Sequence, residues 1–84
     1  MTFGEYVKEL RCKRDLSQRE LAKLSDLSNA EISRLEKGER KNLSIKTLMK
    51  LANGLGIDDV ELIKLCIDTI NKERVGWKNY YLYY

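Results

Sequence analysis

The chain has 84 residues, of which 43% are hydrophobic, enough for one modest core and too few for a second independent one. It has no histidine and only two cysteines, Cys12 and Cys66, which excludes a zinc-binding spacing and a secreted disulfide scaffold and favours the reducing cytoplasm. No apolar run reaches the roughly 18 residues of a membrane span and no signal-peptide pattern opens the chain, so we expect a soluble protein with no membrane partner.

The net charge of +3 is small, but the charges are unevenly distributed. Residues 1–50 hold 12 basic and 8 acidic side chains (+4), whereas residues 51–84 hold 4 and 5 (−1). A polyanionic partner would therefore bind the N-terminal part.

The spacing of apolar residues predicts an all-α protein of five helices, with no confident strand before residue 76. Phe3, Tyr6, Val7 and Leu10 form the i, i+3, i+4, i+7 stripe of an amphipathic first helix. The predicted helices cover approximately residues 3–13, 18–25, 29–37, 45–55 and 58–71. We interpret residues 1–72 as one compact domain and residues 73–84 as an aromatic tail.

A Ser-x-x-Glu motif occurs twice, at Ser17/Glu20 and eleven residues later at Ser28/Glu31. In this capping box the serine oxygen accepts a hydrogen bond from the backbone N–H three residues on, and the glutamate accepts one from the serine N–H. Two helix starts so close together allow only about two turns of helix and a short turn between them. Asp26 lies where the chain must reverse, a place that favours a left-handed backbone. The spacing is that of a helix-turn-helix.

These residues resemble the lambda-repressor-like (Cro/CI-type, XRE-type) helix-turn-helix DNA-binding domains. The resemblance covers residues 3–65 and rests on "LSQRELAKLS", "ISRLEKGER" and "SIKTLMKLANGLGI". It implies a five-helix lambda-repressor-like bundle. The chain departs from the family in having Asp15 and Asp26 where glycine is common, and "KNLS" where many members have proline before the fourth helix.

The resemblance implies that the second helix of the pair lies in the major groove of double-stranded DNA and reads base edges with its N-terminal residues. Arg34 suits a bidentate contact to guanine, Asn29 one to adenine, and Ala30 a thymine methyl group. Glu31 is expected to cap the helix, because a free carboxylate would be repelled by DNA. The candidate base-reading residues are Asn29, Ala30, Ser33 and Arg34.

Other residues match family positions that contact the DNA backbone or support the reading helix. Gln18 is expected to reach a phosphate and brace that helix, and Arg11 and Glu36 match a structural ion pair between the first helix and the end of the reading helix. The candidate backbone contacts are Gln18, Arg19, Ser28, Lys37, Arg40, Lys41 and Asn42.

The fifth helix is apolar over more than one stripe, which is more than an intramolecular core requires. The surplus predicts a two-fold homodimer, although packing within the monomer or under the tail remains open. One stripe holds Val60, Ile63, Ile67 and Ile70, and a second holds Leu62, Leu65 and Cys66. The residues expected at the dimer contact are Leu62, Leu65, Cys66 and Ile70.

The tail "VGWKNYYLYY" holds four of the five tyrosines and the single tryptophan. A strand that pairs with another chain, a flap over the fifth helix and a disordered end are all compatible with it.

The sequence predicts no enzyme, no cofactor, no metal site and no small-molecule ligand, because it offers no histidine, no Gly-rich phosphate loop and no base beside a nucleophile. A homodimeric regulator on a pseudo-palindromic operator is the favoured function. Within DNA binding, a phage-type repressor and a restriction–modification controller protein are both compatible, and "NLSIKTL" with the long fifth helix favours the controller. The alternative is a protein-interaction module such as an antitoxin or anti-repressor, which the basic segment "KGERKN" argues against.

Overall fold

The computed structural model describes residues 1–39 and 43–73, and side chains up to residue 71. All regular structure in this part of the chain is helical, which confirms the all-α prediction. The five helices are α1 (Phe3–Lys13), α2 (Gln18–Ser25), α3 (Asn29–Glu36), α4 (Ile45–Leu55) and α5 (Asp59–Glu73). The tail beyond residue 73 lies outside the described residues, as do residues 40–42.

Each of the first four helices begins at a hydroxyl side chain that accepts a hydrogen bond from a backbone N–H of the first turn. Full capping boxes are present at Ser17/Glu20, as predicted, and also at Thr2/Glu5, where threonine takes the place of serine. At α3 the serine half of the box is present, since Ser28 Oγ accepts from the Glu31 N–H at 3.0 Å. The other N-cap is Ser44 of α4.

Two turns contain an aspartate in the left-handed region. Asp15 follows α1 with φ 54°, and Asp26 ends α2 with φ 55°. The reversal predicted at Asp26 is therefore present. Glycine adopts this conformation more readily, and a short polar side chain tolerates it.

One core joins all five helices. Its fully buried side chains include Leu21, Ile32, Leu51, Leu55 and Leu62. The backbones of α1 and α3 approach so closely at Gly4 that a Cβ there would overlap the carbonyl oxygen of Leu35. Helix α1 thus packs directly on the end of α3.

Helix α5 faces the core with residues that were expected at the dimer contact, which corrects that prediction. Leu62 and Cys66 are buried within the monomer and Leu65 packs partly against the same core, so these side chains are already covered. Ile70 remains 37% exposed. Both faces of the helix are apolar, so periodicity alone did not show which one faces inward.

The two cysteines are free thiols in different surroundings. Cys12 is exposed on α1, whereas Cys66 lies in the core. Burial raises the pKa of the Cys66 thiol.

The capping boxes make the stability of the fold pH-dependent. Hydrogen bonds from the Ser17 backbone and side chain lower the pKa of Glu20 below its ordinary value of 4.5, and those from Thr2 do the same for Glu5. A carboxylate with a lowered pKa in the folded state stabilises the protein above its unfolded-state pKa, and this contribution is lost as the pH falls through the folded-state value. We therefore expect the melting temperature to decrease below about pH 4.5.

Thermal unfolding followed by circular dichroism between pH 7 and pH 3 measures this loss. Glu20→Gln keeps an acceptor for the Ser17 N–H but has no titrating group, so its melting temperature should fall less on acidification than that of the wild type. Equal losses in the two proteins would contradict the prediction.

Candidate nucleic-acid interface

The α2–α3 pair has the geometry of a helix-turn-helix. Asp26 closes α2, and the Leu27 N–H donates to the carbonyl oxygen of Ala22 at 2.9 Å, which turns the chain into the N-cap of α3. Ala22, with 4% of its surface exposed, lets the helices approach closely. Leu21 of α2 and Ile32 and Leu35 of α3 are buried between the helices and the core, so the polar face of α3 points outward.

The outward face of α3 carries the predicted base-reading residues. Asn29, Ala30 and Arg34 are exposed, and Ser33 is half-buried. Within the described part of the chain, the side chains of Asn29 and Arg34 make no hydrogen bond or ion pair. Two long polar side chains and a methyl group are therefore available on one face of a short, fixed helix.

A buried ion pair fixes the end of α3. Arg11 of α1 donates from Nε to Glu36 Oε2 at 2.7 Å and from Nη2 to Oε1 at 3.1 Å, the bidentate arrangement that the resemblance implies. The two side chains are only 11% and 3% exposed. Bonding to the carboxylate raises the pKa of Arg11, so the guanidinium stays charged.

Two further hydrogen bonds complete this network. Gln18, the first residue of α2, donates from Nε2 to Glu36 Oε1 at 3.0 Å. Arg11 Nη1 donates to the Leu16 carbonyl oxygen at 2.7 Å. Gln18 was expected to brace the reading helix, and its amide does bind the Glu36 carboxylate of α3, which also binds Arg11 of α1. Helices α1, α2 and α3 therefore share one anchoring group.

The predicted backbone contacts lie around the ends of α2 and α3. Arg19, Ser28 and Lys37 are exposed, and Ser28 also uses its hydroxyl as the N-cap of α3. The N-terminus of α2 presents backbone N–H groups beside Gln18, which suits a phosphate oxygen. Arg40, Lys41 and Asn42 are outside the described residues.

Among the residues described, no group of three or more metal-ligating side chains is close enough to hold an ion. Over the same residues, every helix is too short or too polar to cross a lipid bilayer.

Because Glu36 is almost completely buried, removing its partner should be costly. Arg11→Ala leaves the carboxylate with Gln18 as its remaining described donor, and we expect the free energy of unfolding to fall by about 3 to 5 kcal/mol. Arg11→Ala with Glu36→Ala should cost less than the sum of the single changes, since neither charge is then left alone.

Urea unfolding followed by circular dichroism measures these differences. Lys13→Ala is the matched control, because it removes a cation of the same helix from an exposed 3.5 Å pair with Glu9 and should cost less than about 1 kcal/mol. A loss for Arg11→Ala no larger than the control's would show that the network does not hold the helices together.

Comparisons with known proteins agree with this geometry. The family model described as "Helix-turn-helix" matches residues 7–62, more than half of the chain. The HTH-type transcriptional repressor RghR of Bacillus subtilis (strain 168) is 43% identical over 56 residues, which cover 67% of this chain and 42% of RghR. The chain thus spans less than half of that relative's length. The uncharacterized HTH-type transcriptional regulator y4dJ of Sinorhizobium fredii is 38% identical over 60 residues, 71% of this chain and 77% of that protein.

Solved structures give the same result. The restriction-modification controller protein C.AhdI from Aeromonas hydrophila matches with a TM-score of 0.66 and 42% identity, over 71% of this chain and 89% of that one. The wild-type controller protein C.Esp1396I matches with a TM-score of 0.67 and 33% identity, over 83% and 90%. SinR, the master regulator for biofilm formation, solved in complex with DNA, matches with a TM-score of 0.68 and 26% identity, over 74% and 98%. The chain belongs to the helix-turn-helix family, as its motifs predicted.

Proposed function

We propose that this protein is a transcriptional regulator that binds double-stranded DNA sequence-specifically, as a homodimer, on a pseudo-palindromic operator. The observation that carries the proposal is the outward face of α3. There Asn29 and Arg34 are exposed and their side chains have no partner among the residues that the structure describes, while the network on Glu36 fixes the helix behind them. Rigid presentation of a few polar side chains is what readout of base edges requires.

In this mechanism α3 enters the major groove with its N-terminal end. Arg34 contacts guanine and Asn29 contacts adenine, each through two hydrogen bonds, and Ala30 touches a thymine methyl group. The N-terminus of α2, with Gln18 and Arg19 beside it, holds a backbone phosphate and sets the register of α3. The Glu36 network matters here because a small tilt of α3 would move both reading side chains off the base edges.

The homodimer uses the stripe of α5 that the monomer leaves uncovered. Val60, Ile67 and Ile70 are 67%, 53% and 37% exposed, and Ile63 is partly buried beside them. A two-fold axis along this stripe would cover it with its own copy. Two reading helices would then meet half-sites roughly one helical turn, ~34 Å, apart.

Within this class, a restriction–modification controller is our preferred role over a phage-type repressor. The support is the similarity to C.AhdI, which is 42% identical and is matched over 89% of its length. The relative RghR is named as a repressor, and the present chain covers only 42% of it. Control of a restriction–modification operon is therefore the first regulatory context to test.

Selection from a randomised double-stranded DNA pool, at low and high salt, tests the DNA-binding proposal. We expect an enriched inverted repeat and a steep loss of affinity at the higher salt concentration, because phosphate contacts release counterions. Arg34→Ala should weaken discrimination at one base position per half-site by about 1 to 3 kcal/mol. Arg19→Ala, the matched control, should weaken binding evenly across sequences.

Failure of the wild type to enrich any sequence would overturn the proposal and favour a protein-interaction module. If the Arg34→Ala protein selects the wild-type operator with unchanged preference, Arg34 does not contribute to base recognition.

The dimer is tested separately by light scattering coupled to size-exclusion chromatography. Ile67→Glu places a charge in the middle of the exposed α5 stripe and should shift the protein to monomer, with weaker operator binding. Glu61→Lys changes an exposed position of the same helix that is neither three nor four residues from any member of the stripe, and it should leave the mass unchanged. Ile67→Glu eluting at the wild-type mass would exclude this stripe as the interface.

A further inference from the structure

The proposed DNA contacts and the α5 stripe leave one apolar surface unexplained, a shallow groove between the C-terminal end of α2 and the exposed side of α4. It encloses about 520 Å³. Three large apolar side chains line it and remain well exposed, Leu24 at 52%, Ile45 at 64% and Met49 at 47%. We call this surface the α2–α4 groove.

The side chains of the α2–α4 groove are ordered in rows. Ile45 and Met49 are four residues apart on α4 and form an apolar row facing Leu24 of α2. Lys46 and Lys50, also four residues apart, form a parallel cationic row one position further along the helix. An apolar row beside a charged row is the counterpart of an amphipathic helix.

The charge of the groove indicates the sign of the charge that its partner carries. Lys50 is half-buried; its Nζ lies 3.5 Å from the Asp26 carboxylate and donates to the Asp26 carbonyl oxygen at 3.4 Å, so this cation is partly balanced. Lys46 is exposed and has no ion-pair partner among the described residues. Among the described residues that line the groove there is one acid, Asp26, against two lysines, so the net charge of this lining is positive.

We infer that the α2–α4 groove binds an acidic amphipathic helix of a second protein. Leucine-like side chains spaced three or four residues apart would fill the gap between Leu24 and the Ile45–Met49 row, and flanking carboxylates would pair with Lys46 and Lys50. A second copy of the chain suits the groove less well, since a two-fold contact would set each cationic row against its own copy. A DNA backbone would leave the apolar side chains without a counterpart.

The groove shares no residue with the proposed DNA contacts or with the exposed α5 stripe. The residues that line the groove are therefore not already assigned to either proposed contact. This inference stands apart from the proposed function, because its main measurement, peptide binding, is made without DNA.

The experiment uses the full chain, labelled with ¹⁵N, and two synthetic peptides. The first is a helical peptide of about 14 residues with leucines at i, i+4 and i+7 and glutamates beside them. The second has lysine at every glutamate position. We expect saturable chemical-shift changes centred on Leu24, Met49 and Lys50 with the acidic peptide, and affinity at least about tenfold lower with the basic one.

Met49→Glu should weaken binding of the acidic peptide by about tenfold or more, because it places a carboxylate in the apolar row and adds repulsion. Lys23→Glu, an exposed change on α2 outside the groove, is the matched control and should have a much smaller effect. Both variants should keep the wild-type far-UV spectrum and oligomeric mass.

Four outcomes would overturn the inference. The first two are no binding of the acidic peptide and equal binding of the two peptides. The third is a change of oligomeric mass in Met49→Glu, which would show that the groove is a contact between copies of the chain. The fourth is a loss of DNA affinity in Lys46→Gln with peptide binding unchanged, which would show that the groove is part of the DNA backbone contact.

Discussion

The carboxylate of Glu36 is the constraint on which the arrangement of the N-terminal helices depends. A charge with 3% of its side chain exposed must find donors inside the protein, and here they come from Arg11 and Gln18, one on α1 and one on α2. Apolar contacts hold these helices together but tolerate small rotations, because dispersion and hydrophobic burial have little directionality. Three hydrogen bonds of defined geometry on one carboxylate restrict those rotations.

Much of the fold was accessible from local sequence chemistry. The Ser-x-x-Glu motifs at Ser17 and Ser28 located the starts of α2 and α3, because a serine side chain at that place accepts from a backbone N–H of the first turn. Asp26 located the turn between the paired helices. The ion pair of Arg11 with Glu36 was accessible only through the family resemblance, since the residues are 25 positions apart.

The orientation of α5 was not accessible in the same way. Leu62 and Cys66 were expected at an interface with a second chain, yet they complete the core, and Val60 and Ile67 are left outside. When a helix is apolar around most of its circumference, its sequence does not indicate which side faces the core. The packing of α4 and α1 against α5 decides which side is covered. The exposure of Ile45 and Met49 on α4 has a related cause, because apolar spacing alone does not show which residues of a helix its neighbours cover.

The different exposure of the two thiols allows local unfolding of the protein to be measured through their labelling rates. Cys12 is available to an alkylating reagent in the native state, whereas Cys66 is enclosed in the core and its raised pKa keeps it protonated. A reagent therefore reaches Cys66 only when α5 separates from the rest of the bundle, so the ratio of the two labelling rates reports how often that separation occurs. The native sequence thus permits the local opening of a helix to be followed by mass spectrometry without any engineered label.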